Sequence, residues 1–175
     1  MVGPLGCPGF TYRPRLEIGA LSSRSSAGDP SVKERYTIDA SVWVAALLPT
    51  DVHHQSSRDV LVRLMAQNAS IICPTLILPE VAAAVARNTD RDDLAIQSSE
   101  SVGDFPGMTL HLLEHDLAMK AARLAAMHRL RGADAIYIAI AAEEQAVLIT
   151  WDAEMHNRGA AAVRTITPDE LLSLL

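Results

Sequence analysis

Tyr36-Thr37-Ile38-Asp39-Ala40-Ser41-Val42-Trp43-Val44-Ala45-Ala46-Leu47-Leu48-Pro49 reads as a short strand, an acidic residue at its end, and a helix that Pro49 stops. The apolar period changes at Asp39 from strand to helix, the opening of a strand-helix-strand unit. The alternation continues toward the C-terminus. A helix is expected over residues 53–68, where Val60, Leu61, Leu64 and Met65 recur at helical spacing, and a strand over 70–73. An Ala-rich helix over 78–87 carries Pro79 near its first position and Glu80 in its first turn. Another helix covers 92–102, a loop 103–107, and a third strand 108–113. Helices over 116–130 and 134–144 flank a break at Gly132. A strand over 146–149, a turn over 152–159, a strand over 162–166 and a short helix from Pro168 complete the expected order. Strands alternating with helices imply right-handed crossovers, hence an α/β fold with a mostly parallel central sheet flanked by helices on both faces.

Composition agrees with that architecture. Of 175 residues 49% are hydrophobic but only 4% aromatic, so Ala, Val, Ile and Leu must fill the core. Residues 1–35 differ: rich in Gly, Pro and Ser and without an apolar period, they read as a flexible N-terminal tail ahead of one domain over 36–175. Cys7 and Cys73 form no C-x-x-C pair and provide neither a disulfide framework nor a cysteine zinc site. No run approaches the roughly 18 apolar residues of a membrane span, and the N-terminus lacks the layout of a secretory signal. A soluble, cytoplasmic protein is expected. The apolar Leu47, Leu48, Val60, Leu61 and Leu64 exceed what one core is expected to hide, which points to a homodimer.

The net charge is −6, divided unevenly: residues 1–35 carry five Lys/Arg against three Asp/Glu, the remainder ten against eighteen. An acidic domain is a poor candidate for coating nucleic acid through phosphate contacts. An enzyme whose acids hold divalent ions escapes that objection, because the ions bring positive charge to where a phosphate must sit.

Parallel sheets place their sites beyond the carboxyl ends of the strands. Asp39 follows the first strand directly and Asp152 stands just past 146–149, while Glu80 and Asp134 each lie at the start of a helix. Taken singly, each acid also reads as a cap or as a favourable charge at a helix N-terminus. Together they crowd one rim, where like carboxylates raise each other's pKa unless cations neutralise them. Hard oxygen donors without cysteine favour Mg²⁺ or Mn²⁺ over zinc. Ser41 and Thr150 stand where they could hydrogen-bond a metal water or a carboxylate, and Arg131 where it could meet a phosphate or hold an acid.

The motifs Thr37-Ile38-Asp39-Ala40-Ser41, Leu78-Pro79-Glu80-Val81, Arg131-Gly132-Ala133-Asp134-Ala135-Ile136-Tyr137 and Leu148-Ile149-Thr150-Trp151-Asp152 resemble, in kind and order, those of PIN-domain nucleases. The resemblance covers about residues 36–170 and extends to the VapC group, the small toxin ribonucleases of toxin–antitoxin pairs. It implies a PIN-like three-layer sandwich and an Mg²⁺ or Mn²⁺ site made by Asp39, Glu80, Asp134 and Asp152. It also implies RNA as substrate and a cognate antitoxin as inhibitor. The chain departs from the pattern in its 35-residue tail and in bulky Trp151.

Other readings compete. His111-Leu112-Leu113-Glu114-His115 fits the H-x-x-E-H spacing of inverted zinc peptidases, but residues 108–113 alternate as a strand rather than a helix. A phosphoacceptor receiver would need a lysine at the sheet rim, and the lysines are Lys33 and Lys120, the second inside a long helix. A PIN fold that binds RNA or a partner without cutting is the third. His53 and His54, ahead of a helix, are expected to face solvent or a partner rather than a metal.

Overall fold

Ile71, Ile72 and Cys73 are all buried, as are Val147, Leu148 and Ile149, which a strand can achieve only when helices cover both faces of its sheet. The computed structural model describes residues 34–174. Its strands are β1 (Arg35–Ile38), β2 (Ser70–Pro74), β3 (Met108–His111), β4 (Val147–Ile149) and β5 (Thr165–Ile166). Its helices are α1 (Ala40–Leu47), α2 (His54–Ala66), α3 (Ile77–Thr89), α4 (Asp92–Gly103), α5 (His115–His128), α6 (Gly132–Glu143), α7 (Ala153–Gly159) and α8 (Pro168–Leu174). The five strands form one sheet in the order β3-β2-β1-β4-β5, and every pairing is parallel. The result is the expected α/β three-layer sandwich. Among the described residues no helix is long and apolar enough to cross a membrane.

Strand order decides where a ligand can enter. From β1 the chain steps outward to β2 and β3, then returns to the other side of β1 for β4 and β5. Neighbouring β1 and β4 therefore send their connections in opposite directions and leave a crevice at their carboxyl ends. Ile38 pairs with Ile149 there, and the Asp39 backbone N–H extends the ladder to the Ile149 carbonyl at 3.0 Å. Behind the crevice lies α6, in which Ala135, Ile138, Ala139 and Ile140 are buried against β1, β2 and β4.

Several boundaries differ from the sequence reading. The stretch 152–159 is not a turn but the cap Asp152 followed by the helix α7: Met155 anchors it, and Gly159 serves close packing, since a Cβ there would stand 3.0 Å from Ile138 Cδ1. The last strand shrinks to Thr165–Ile166 because the Ala162 and Val163 amides turn back to the Gly159 carbonyl. β3 ends at His111, where β2 ends opposite it at Pro74, so Leu112 and Leu113 have no ladder to join and are exposed. Of the five residues behind the dimer expectation, Leu48, Val60, Leu61 and Leu64 are buried within the chain itself and Leu47 is half-buried. The tail assigned to residues 1–35 lies outside the described residues except for Glu34 and Arg35, and Arg35 already belongs to β1.

Gly107 adopts a left-handed φ of +82°, and its carbonyl accepts the Ile71 amide at 2.9 Å as β2 and β3 begin to pair. A Cβ on Gly107 would lie 2.3 Å from the Ala69 carbonyl oxygen. Gly107→Ala is expected to cost about 2 kcal/mol or more, a lower melting temperature checked by thermal denaturation, because strain and collision add.

Candidate active site

Asp39 caps α1 and is 6% exposed. Its Oδ2 accepts from the Ser41 amide at 3.2 Å, the Ser41 hydroxyl at 2.5 Å and the Thr150 hydroxyl at 3.0 Å, so residues from both central strand ends grip one carboxylate. Burial still pushes its pKa upward against those bonds. Glu80, in the first turn of α3, accepts from the buried Tyr137 hydroxyl at 2.5 Å. Its pKa is raised by burial and by the charges of Asp39 and Asp134, which the Tyr137 bond only partly offsets.

Asp134 sits in the first turn of α6, which begins at Gly132 rather than at Asp134 itself. It does not act as a cap: Oδ2 is buried with no hydrogen-bond partner. Burial, then repulsion from Asp152 and Asp39, raise its pKa to about 6, against a weaker pull from Arg131. Asp152 caps α7, its Oδ1 accepting from the Met155 amide at 2.8 Å and its Oδ2 facing the Arg131 guanidinium at 3.5 Å. Arg131 also reaches Glu154 at 3.7 Å and is 67% exposed, so these contacts steer the side chain more than they stabilise the fold.

All four acids thus stand around the carboxyl ends of β1 and β4, where burial raises the pKa of Asp39, Glu80 and Asp134 and the neighbouring acids add to the rise at Glu80 and Asp134. They do not close on a common point: among the described residues no three His, Cys, Asp or Glu side chains gather closely enough to hold a metal ion. The donor set nonetheless suits a hard divalent cation, being all carboxylate oxygen with one buried oxygen, Asp134 Oδ2, lacking any donor. The H-x-x-E-H residues are scattered: His111 ends β3, Glu114 precedes α5 and His115 is its first residue. Lys120, within α5, pairs with Glu143 at 2.7 Å.

Two contributors escape the sequence reading. Tyr137 looks like core, yet it lies three residues after Asp134 and so on the same helical face, and a buried tyrosine hydroxyl needs a partner. Ser57, wholly buried on α2, accepts the Trp151 indole N–H at 2.8 Å, and no local pattern announces that long-range bond.

The PIN domain family model matches residues 36–161. The chain belongs to the PIN-domain family. Solved structures share the fold of this PIN domain at low identity. VapC20 of Mycobacterium tuberculosis, described as a sarcin-ricin loop cleaving toxin, is 17% identical with a TM-score of 0.60, over 73% of this chain and 95% of that one. VapBC2 of Rickettsia felis, bound to a DNA fragment from its promoter, is 14% identical with a TM-score of 0.60, over 76% and 98%. PAE2754 of Pyrobaculum aerophilum is 21% identical with a TM-score of 0.58, over 81% and 94%. No curated protein matches the sequence.

The raised pKa of Asp134 gives this PIN domain a pH signature. Folded, Asp134 keeps its proton up to about pH 6, whereas an unperturbed aspartate at 3.8 has already lost it. Between those values the unfolded chain binds fewer protons, so stability falls as pH rises. Asn mimics the protonated carboxyl. Without divalent cations, Asp134→Asn is expected to melt above the wild type at pH 7 and to match it near pH 4, as thermal melts in EDTA would show.

Proposed function

We propose that the chain is a divalent-metal-dependent endoribonuclease, the toxin of a toxin–antitoxin pair, hydrolysing RNA in the cytoplasm and held in check by a cognate antitoxin. The observation that carries this reading is the crowding of Asp39, Glu80, Asp134 and Asp152 at the strand switch point, with the pKa values of Asp39, Glu80 and Asp134 raised and one carboxylate oxygen of Asp134 buried without a donor. PIN domains are generally nucleases. The fold-level likeness to a sarcin-ricin loop cleaving toxin and to a VapBC complex supports RNA and an antitoxin as partners.

In this reading Asp39, Glu80, Asp134 and Asp152 hold Mg²⁺ or Mn²⁺. Bound there, the ion supplies an acidified water and neutralises charge on the phosphate. Asp39 is kept in place by Ser41 and Thr150, and Glu80 by Tyr137, so two of the carboxylates that would hold the ion are oriented by protein hydrogen bonds. Asp134, whose pKa is raised to about 6, would be favoured in its ionised form by a cation held beside it. Arg131, at the exposed rim, offers its guanidinium to a phosphate oxygen of the RNA. A PIN fold that binds RNA without cutting is favoured by one feature, the failure of the acids to close on a common point.

One variant separates the two. The full chain is expected to cleave RNA with Mg²⁺ or Mn²⁺ and not with EDTA, and Asp134→Asn to be folded yet slower by about 100-fold or more, because a misplaced nucleophile costs that much. A folded Asp134→Asn protein cutting RNA at the wild-type rate would remove Asp134 from the chemistry. In the same proteins, Mg²⁺ should raise the melting temperature of the wild type by several degrees and that of Asp39→Asn by less.

A further inference from the structure

Trp151, the residue by which the chain departs from the family pattern, is held at three points. Its backbone N–H donates to Ser41 Oγ at 3.1 Å, and its indole N–H donates to the buried Ser57 Oγ at 2.8 Å. The His53 imidazole lies over it with ring centroids 3.9 Å apart and planes 14° from parallel. Ser41, meanwhile, donates to Asp39, so a single hydroxyl links this aromatic pair to a site carboxylate. In sequence Trp151 stands between Thr150 and Asp152, which places the pair against the site.

Both rings are half-buried, not core. No hydrogen bond engages either His53 ring nitrogen, and neither ring stacks on a third aromatic, among the described residues. The rings cover each other's inner faces, so the pair, partly open and one hydroxyl away from Asp39, offers a rigid outer aromatic face and an imidazole edge without a partner among the described residues. Such a surface binds planar ligands without paying to order itself.

The geometry points to a base-stacking wall: the stacked pair His53 and Trp151 receives, on its outer face, the base of the nucleotide next to the phosphodiester that is cut. The inference rests on the ribonuclease reading and names the part of the substrate that the carboxylates cannot recognise. Charge argues the same way. A domain with ten cations against eighteen acids has little with which to hold a phosphate backbone, whereas a base carries no charge and stacks on aromatic faces in any sequence context. The unpartnered imidazole nitrogens then stand where they can read a base edge or a ribose 2′-hydroxyl.

Binding is measured with the full chain carrying Asp134→Asn, so that RNA stays intact, using a short single-stranded oligoribonucleotide and an abasic oligomer of the same length and backbone. Of the two tryptophans Trp43 is buried, and Trp151→Phe assigns any fluorescence change to Trp151. The base-bearing oligomer is expected to quench Trp151 and the abasic one not. His53→Ala should weaken the first about tenfold, within the range for one lost stacked base, leave the second unchanged, and be rescued by His53→Phe. Equal binding of both oligomers, or a His53→Ala loss shared by both, would overturn the wall. So would a Trp151 response to an apolar helical peptide with none to RNA, which reassigns the pair to a protein contact. The outcomes stay separable: a wild type that cuts RNA with no stacking signal sinks only this inference, and a stacking signal without metal-dependent cleavage sinks only the nuclease reading.

Discussion

Parallel pairing of β1 with β4 sets what the rest of the molecule must accommodate. Ile38 lies beside Ile149 and the Asp39 amide continues the ladder to Ile149, so the residues just beyond each strand are delivered to the same crevice. Asp39 arrives there on one side, and Thr150, Trp151 and Asp152 on the other. The apolar α6 must then bury Ile138 and Ile140 under the same strands, and doing so carries Asp134 to the rim at its N-terminal end. Three of the four acids are thus brought together by sheet pairing and core packing alone, before any attraction to a ligand is considered.

That delivery has an energetic consequence. The acids meet in a poorly solvated place: Asp39 and Glu80 receive side-chain hydroxyl donors and Asp152 faces the exposed Arg131 guanidinium, whereas Asp134 Oδ2 is buried without a donor. A fold selected for stability alone would place Asn or Ala at position 134, where the carboxylate has no donor for its buried oxygen. Repulsion at the crevice is tolerated because the core beneath it is mainly apolar and tightly sealed, with Ile38, Leu148 and Ile149 completely inaccessible. Stability is held in the sheet and released at its edge.

How much of this was legible in the sequence depends on the range of the interaction. The switch from strand to helix at Asp39 and the acids themselves are local patterns, and the α/β layering derives from their alternation. Where the sequence reading failed, a distant partner decided the outcome. Asn157-Arg158-Gly159 resembles a turn until Ile138 is known to press on Gly159. Residues 112 and 113 extend a strand pattern until Pro74 ends the strand beside it. Leu61 and Leu64 look surplus until helices pack over them. Tyr137 reads as one more apolar residue until Glu80 reaches its hydroxyl from another helix. Of the four acids, only Asp39 and Asp152 show the capping bonds that their positions suggested.

Gly159 sits where α7 crosses α6, and the helices that meet there are the two that carry Asp152 and Asp134. Ile138 Cδ1 occupies the space a side chain at 159 would need, with Thr165 Cγ2 closing the other side at 3.3 Å. The two positions therefore share one fixed volume. A lineage that acquired alanine at 159 would have to displace the end of Ile138 by a few tenths of an ångström, trim it, valine at 138 being the smallest step that removes the nearest carbon, or let α7 ride outward. Drift at this buried joint is coupled, far from the charged rim, and the spacing of two acids is inherited through a pair of residues that never touch a substrate.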